Sequence, residues 1–273
     1  MSWLSWRNGL DKAALLASRE VASLTIDRVR SRDITRRYRA AGLIVGDTAT
    51  SVTIAFAAPT RPAVIAWIRP RRRLDQEEAA PPSFAATDTV RHRLSSTDAH
   101  DGDLYDSGVI ASGAALGRGV HVHFPPAGAA GGFARFDFDA LSRGLPPENY
   151  VDWGYAHYGA IDFSPIIDYA GPATFAFEEG AERRLSWDGS RLTVRRKAIR
   201  RRWRLIFESL KWPSEQAAYE NFLAYVGDGG AFLVGLDKAD GPNTTMIAML
   251  DTAAMARTSR RRFRAELPIL EAF

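Results

Sequence analysis

The chain has 273 residues, 46% of them hydrophobic, no cysteine, and a formal charge of +4 from 36 basic and 32 acidic side chains. Zero cysteines exclude disulfides, thiolate nucleophiles and Cys-ligated zinc, so stability has to come from packing. The near balance of charge argues against nucleic acid as the main partner, although the sequence pI is near 9.5.

No uninterrupted apolar run reaches the roughly 18 residues of a membrane-spanning helix; "VTIAFAAPTRPAVIAW" is broken by Pro59, Arg61 and Pro62. The opening "MSWLSWRNGLDKAALLASRE" lacks a basic region followed by an apolar block, so no secretory signal and synthesis in the cytoplasm are expected. Residues 1–19 are read as an N-terminal arm. In "SVTIAFAAP" Val52, Ile54 and Phe56 alternate with other residues, and "AVIAWIRP" follows a Pro-Thr-Arg-Pro turn, which predicts two half-buried strands. Residues 70–87, rich in charge, proline and alanine, predict a surface loop.

Val90, His92 and Leu94 share one side of the next strand, as Val120, Val122 and Phe124 do in "GVHVHFPP". "GFARFDFDAL" sets Phe133, Arg135 and Asp137 against Ala134, Phe136 and Phe138. Short strands at spacings of about a dozen residues, separated by Gly, Pro and Asp turns, predict a β-sandwich or jelly roll over residues 20–166.

After Pro172 the pattern changes. "RRLSWDGSRLTVRR" predicts a hairpin, because Asp188-Gly189 suits a tight type I′ turn. A strand follows with Arg201, Trp203, Leu205 and Phe207 on one face. Ser214 is the expected N-cap of a helix carrying Ala218, Tyr219, Phe222, Leu223 and Val226 at helical spacing, ended by Gly227. "AFLVGLD", "TTMIAML" and "RRFRAELPIL" predict three closing strands. Residues 167–273 therefore form a smaller α+β unit with one helix, and the chain as a whole is mainly β.

Candidate chemistry is scattered. The glycine-rich "GVIASGAALGRG" has neither a phosphate-loop pattern nor a nucleophile elbow, and Ser107 and Ser112 read as turn serines. His121 and His123 leave one strand face together, with His92 or His100 as a third metal ligand, or they line a polar exposed face. Asp98, Asp101, Asp103 and Asp106 offer calcium oxygens or a solvated turn. Asp152 and Asp162 are a carboxylate pair of the kind a glycosidase needs. Their neighbours Tyr150, Trp153, Tyr155 and Tyr158 are read as domain-seam aromatics or as a glycan-stacking surface, with Trp153 and Tyr155 on one strand face and Gly154 admitting another backbone. No cofactor, metal or catalytic residue is assigned. "RLTVRRKAIRRRWR" concentrates Arg195, Arg196, Lys197, Arg200, Arg201 and Arg202, a candidate subunit interface facing an acidic partner, while "FEEGAE" precedes it as an internal partner.

Taken in order, these passages resemble the minor or distal tail proteins of bacteriophages. "DTVRHRLSS" with "LYDSG" is similar to a "VRVRLS" strand leading to a "YDSG" turn, and "GFARFDFD" to an "ARYVRIDI" strand. "ENYVDWGYAHYGAIDFSPIIDYAG" resembles a "YVDLGRLFAG…P…NYSYG" passage, with Gly154-Tyr155 where the pattern has Gly-Arg. A basic hairpin, a "W-x-L-x-F" strand, one helix and a closing "F-x-A-x-L-P-I-L-E-A-F" complete the series over residues 85–273. The resemblance implies a galactose-binding-like jelly roll followed by a tail-ring α+β domain, and a structural role without enzymatic activity in a virion or gene-transfer-agent tail. It also implies a homo-oligomeric ring or sleeve and tube, hub or fibre proteins as partners. The alternative is a carbohydrate-binding module recognising a host-surface glycan.

Overall fold

The computed structural model describes residues 2–31, 36–40, 49–70, 87–111, 120–139, 150–165, 174–178, 181–185, 191–195, 200–227, 231–239, 245–250, 254–259 and 261–271. Within 174–201 and 254–259 it describes the backbone alone. The chain begins with β1 (Trp3–Ser5), β2 (Ala14–Ala17), β3 (Tyr38–Ala40), β4 (Ala49–Thr60) and β5 (Val64–Ile68). β6 (Thr89–Ser95), β7 (Tyr105–Asp106), β8 (Ile110–Ala111), β9 (Val120–His123) and β10 (Gly131–Asp139) follow, then β11 (Val151–Trp153) and β12 (Tyr155–Gly159). The second unit comprises β13 (Thr174–Glu178), β14 (Ala181–Leu185), β15 (Arg191–Arg195), β16 (Arg200–Lys211) and the helix α1 (Ser214–Val226). It closes with β17 (Phe232–Gly235), β18 (Thr245–Leu250), β19 (Ala254–Ser259) and β20 (Arg262–Glu271).

The first unit is a sandwich. One layer is a six-stranded antiparallel sheet in the order β2-β4-β10-β6-β7, with β8 also on β6. The other consists of the β3-β11 pair and the three-stranded sheet β12-β5-β9. Alternation builds the interior: Val52, Ile54, Ala134, Phe136, Phe138, Val90 and Leu94 point inward from the large sheet, while Ser51, Arg135, Asp137 and Arg93 point outward. Trp67 stacks on Phe136 with centroids 4.1 Å apart, and Trp153 meets Trp67, Phe136 and Phe138 edge-on. These sheets fit the galactose-binding-like sandwich that the resemblance implies, and the α+β unit with one helix follows it.

β5 differs from its expected half-buried state. All five residues of Val64–Ile68 are buried, because Ile65 and Trp67 enter the sandwich core while Val64, Ala66 and Ile68 face the second unit. An unbroken apolar run is what a strand covered on both faces requires.

The second unit centres on a seven-stranded sheet, β1-β17-β18-β20-β16-β13, with β19 on β20. Helix α1 packs Tyr219, Phe222 and Val226 against Trp203, Leu205, Phe207 and their neighbours on one face. The helix begins one residue earlier than the capping pattern suggested: Pro213 is its N-cap, without a side-chain cap, Ser214 is its first residue, and Gly227 is its C-cap. The predicted hairpin is the β14–β15 pair, whose turn, like residues 71–86 of the predicted loop, lies outside the described residues. In backbone register Glu178 of β13 stands opposite Arg200 of β16, two strands that are separated in sequence by the β14–β15 pair.

Residues 1–19 supply strands to both units. β1 is the edge strand of the second sheet and β2 the edge strand of the sandwich sheet. The layers therefore stack as helix, seven-stranded sheet, three-stranded sheet and six-stranded sheet. Trp3, Tyr155, Leu233 and Ile247 join Val64, Ala66, Ile68 and Val120 in the core between the two middle layers.

Candidate functional site

The passage 150–165 contains most of the predicted site residues, and the structure places nearly all of them inside. Val151 and Trp153 of β11 face the sandwich core; in β12 the core-facing positions are Ala156 and Tyr158. The phase slips by one residue at Gly154, whose N–H donates to the carbonyl of Ile68 at 2.8 Å as the chain passes from β3 to β5 as its partner. Trp153 and Tyr155 consequently do not share a face: Trp153 lies in the sandwich core and Tyr155 in the core between units. Trp153, Tyr155 and Tyr158 are each no more than 2% exposed, so none offers a ring to a glycan. Tyr150 is half-buried beneath the guanidinium of Arg39, 3.8 Å from its ring centroid. Tyr155 alone of the four is a seam aromatic.

The two carboxylates are also committed. Asp152 binds Arg39, directly opposite on β3, through Nε–Oδ1 and Nη2–Oδ2 contacts of 2.7 and 2.8 Å. Asp162 accepts the backbone N–H groups of Trp6 and Arg7 at 2.9 and 3.1 Å, pinning the N-terminal segment to the end of the sandwich. Neither flanks an open cleft as a glycosidase pair must.

A buried network that the sequence did not disclose lies between them. Ser5 Oγ donates to the carbonyl of Ala160 at 2.5 Å and so receives the Nε2–H of His157 at 2.7 Å. That tautomer leaves His157 Nδ1 to accept the Tyr155 hydroxyl at 3.1 Å, and Tyr155 in turn receives Asn8 Nδ2 at 3.4 Å. Each hydroxyl and ring nitrogen in the chain has one consistent role, and Ser5 and His157 are fully buried. The Ser–His pair is a structural latch with no route to substrate. Asn8 was the available hint, since an Asn before Gly9-Leu10 suits the short-helix cap that its Oδ1 provides to Leu10 N–H.

The histidines converge, though in a different form from the one expected. His121 and His123 point from β9 into the sandwich, where His92 of β6 meets both; ring centroids are 5.0 and 5.2 Å apart and the planes within 15° of parallel. His121 is buried and His123 half-buried, so an exposed polar face is ruled out. His100 instead meets Phe133 edge-on. His92 Nε2 and His121 Nε2 are 2.8 Å apart, a hydrogen-bond distance. Two nitrogens on one tetrahedral zinc would stand roughly 3.3 Å apart, and stacked rings send their lone pairs side by side rather than to one point. Among the described residues no group of three His, Asp or Glu side chains is arranged to hold a metal ion. Burial, reinforced by the neighbouring rings, holds His92 well below the ordinary histidine value and pushes His121 down to about 3; burial also lowers His123.

The acidic loop is tied down locally. Asp103 holds Ser96 through its N–H and hydroxyl, and hydrogen bonding from Ser96 keeps the Asp103 carboxyl low. Asp106 is paired with Arg91, which lowers its carboxyl in the same sense. Ser107 is a turn serine, accepting His92 N–H at 2.9 Å; Ser112 lies outside the described residues. Of the basic run, Arg195, Arg200 and Arg201 are placed by backbone only, Arg202 is exposed, and Arg196 and Lys197 lie outside the described residues.

No protein-family model matches the chain, and no curated protein does. Solved structures with partial likeness include the family 32 carbohydrate-binding module of Clostridium perfringens NanJ in complex with galactose. It has 8% identity and a TM-score of 0.37 over 58% of this chain and 98% of that one. The CBM32-1 and CBM32-2 domains of C. perfringens ZmpB in complex with GalNAc have 13% identity and a TM-score of 0.40 over 57% of this chain and 36% of theirs. The lectin domain of lectinolysin complexed with Lewis B antigen has 8% identity and a TM-score of 0.39 over 56% of this chain and 96% of its own. Overlap at this level transfers no residue role and no ligand to this chain.

The outer face of the six-stranded sheet is open to solvent. A cleft of about 410 Å³ lies there, lined by Ser18, Arg19, Thr50, Ser51, Arg135 and Asp137. Its floor is β4 and β10, where Ser51 and Asp137 are cross-strand partners. Its rim is the chain leaving β2: Ser18 N–H donates to the carbonyl of Ser51 at 2.8 Å, and Ser51 N–H to Ser18 Oγ at 2.9 Å. Tyr38 donates its hydroxyl to the carbonyl of Arg19 at 2.6 Å; burial pushes that phenol up to about 12, so it stays a donor. Sequence pattern alone gave no sign of the cleft, because its residues come from β4, β10 and the chain leaving β2, which become neighbours only on folding.

Proposed function

We propose that this chain is a non-catalytic recognition protein whose sandwich binds a sugar on the outer face of its six-stranded sheet. The supporting observation is a division of labour among polar groups. Ser5, His157, Asp152, Asp162 and the histidine stack are buried in internal bonds, whereas Ser18, Ser51, Arg135 and Asp137, though also bonded to one another or to neighbours, line a cleft on the surface. Its volume falls in the roughly 300–1,000 Å³ range of small-molecule sites, and its hydroxyl, guanidinium and carboxylate groups match the paired donors and acceptors of sugar hydroxyls. The test is a glycan array probed with the whole protein, followed by titration of any hit against a Ser51→Trp variant that fills the cleft. No glycan bound, or binding untouched by Ser51→Trp in a folded protein, overturns this reading.

The second reading, a ring or sleeve protein of a phage tail or tail-like particle, rests on the ordered sequence resemblance. The outward face of β16 and β20 also favours it, where Arg204 pairs with Glu266 and Arg264 with Glu208 in a solvent-facing charged ladder. Such a face suits subunit contacts, and the two readings are compatible. Mass photometry across a salt series tests it: a discrete oligomer that dissociates at high salt supports a charged ring interface. Charge reversal at Arg195, Arg196 and Arg200 is expected to abolish that oligomer while leaving a folded monomer, and rings that survive the triple variant contradict the interface.

A further inference from the structure

We infer that residues 3–8 form a clasp that couples the opening of one unit to the opening of the other, so that the sandwich and the second unit move as one body.

β1 is bonded along both edges. Trp3 and Ser5 are opposite Gly235 and Leu233 of β17. Leu4, between them, turns its backbone the other way: its N–H donates to the carbonyl of Phe163 at 2.8 Å, and its carbonyl accepts the N–H groups of Asp162 and Phe163 at 3.0 and 3.2 Å. Successive residues of an antiparallel strand direct their backbone groups to opposite edges. One short strand thereby serves a ladder in the second unit and the end of the sandwich together.

The side chains divide in the same way. Trp3 enters the core between the units, Leu4 the core beneath α1, and Ser5 reaches His157 of the sandwich at 2.7 Å. Trp6 then meets Phe222 of α1 with ring centroids 5.4 Å apart, while its own N–H and that of Arg7 donate to Asp162. Asn8 closes the segment on β12: its Oδ1 accepts Tyr158 N–H at 3.0 Å, and its Nδ2 donates to the carbonyl of Ala156 at 2.9 Å. Two glycines keep the path open. A Cβ at Gly159 would lie 2.5 Å from the carbonyl of Arg7 and 3.0 Å from Ser5 Oγ, and one at Gly235 would strike the Trp3 indole.

Because consecutive residues alternate between the units, neither unit can release the segment without breaking buried bonds to the other. Trp3, Leu4 and Ser5 are each no more than 1% exposed, so every bond lost leaves a desolvated group behind. Units joined by a contact alone move relative to each other by default. Here β1 makes the opening of β17 and of β12 a shared event, and a change on either side is felt on the other.

The experiment is hydrogen exchange of the full chain read by mass spectrometry, with one variant on each side of the clasp. Asp162→Ala removes an acceptor within the sandwich, and Gly235→Ala presses on Trp3 from the second unit. Expected in both variants is an about tenfold rise in exchange at residues 155–159 and at residues 232–235 together, with β4 and β10 changing less. Exchange that rises only in the unit carrying the substitution overturns the coupling. A rise of the same size in β4 and β10 also overturns it, since the chain then opens only as a whole. If Gly235→Ala does not fold, Trp3→Phe thins the same contact and is read against the same outcomes.

Discussion

Trp3 stands directly opposite Gly235 across the β1–β17 pair, and its indole occupies the volume that any side chain at position 235 would need. A Cβ there overlaps the ring itself. Gly235→Ala is therefore expected to destabilise by about 1–3 kcal/mol through overpacking, measured as a lower urea midpoint. Trp3→Ala removes the obstruction but opens a cavity in the core between the units, costing about 3–5 kcal/mol. The double variant should be less destabilised than the sum of the two. Strict additivity shows that the contact does not hold β1 to its sheet.

Asp152 and Arg39 form a nearly solvent-free pair, with Asp152 side chain fully buried and Arg39 only 16% exposed. Arg37 also reaches the same carboxylate, at 3.6 Å, so removing Asp152 takes a buried counter-charge from two guanidinium groups. Asp152→Ala is expected to cost about 3–5 kcal/mol, whereas Arg39→Leu with Asp152→Leu should cost far less, since replacing a buried pair with apolar residues is often neutral. Thermal melts of the two variants decide it. Equal loss in the single and double variants shows that the site needs the charges themselves.

Much of the fold was legible because alternation and burial coincide. Val52, Ile54 and Phe56, or Ala134, Phe136 and Phe138, take the faces that their period-2 pattern requires, and Phe222 with Val226 does the same at helical spacing. β1, β2, β3 and β19 went unread because strands of three to six residues carry too few alternations to register, and β1 acts through a partner more than two hundred residues away. Trp153 and Tyr155 misled for a different reason: a strand that changes partner at Gly154 shifts phase by one residue, and the sequence marks the glycine without stating the shift. The seam was thus partly visible as a cluster of aromatics, while the cleft was invisible, since register and not spacing brings Ser51 to Asp137.

Ser5 and His157 are 2.7 Å apart and resemble a nucleophile and its base. Their burial and the orientation of every proton in the chain predict otherwise. A fluorophosphonate probe should leave Ser5 unlabelled in the folded protein, and Ser5→Ala should lower stability by about 1–3 kcal/mol as His157 loses its acceptor. Labelling of Ser5 under native conditions contradicts the latch.

The histidine stack predicts an acid sensitivity with a defined direction. In the unfolded chain these imidazoles take up a proton near pH 6.5. In the folded chain burial opposes it, holding His121 down to about 3 and His92 and His123 below their usual value. Between those limits the unfolded state binds more protons, so stability falls as pH drops from 6.5 toward 3 and is fully present above 6.5. The melting temperature is expected to decline across pH 6.5 to 4 in the wild type. His92→Phe, which keeps a flat ring against Phe136 and removes the shared hydrogen bond with His121, should flatten that decline more than a His100 variant, because His100 lies outside the stack. Carboxylates paired in the fold, such as Asp106 with Arg91, add their own loss at lower pH, and the comparison between variants subtracts it. Identical pH slopes for wild type and His92→Phe show that the stack is not the source of the acid response.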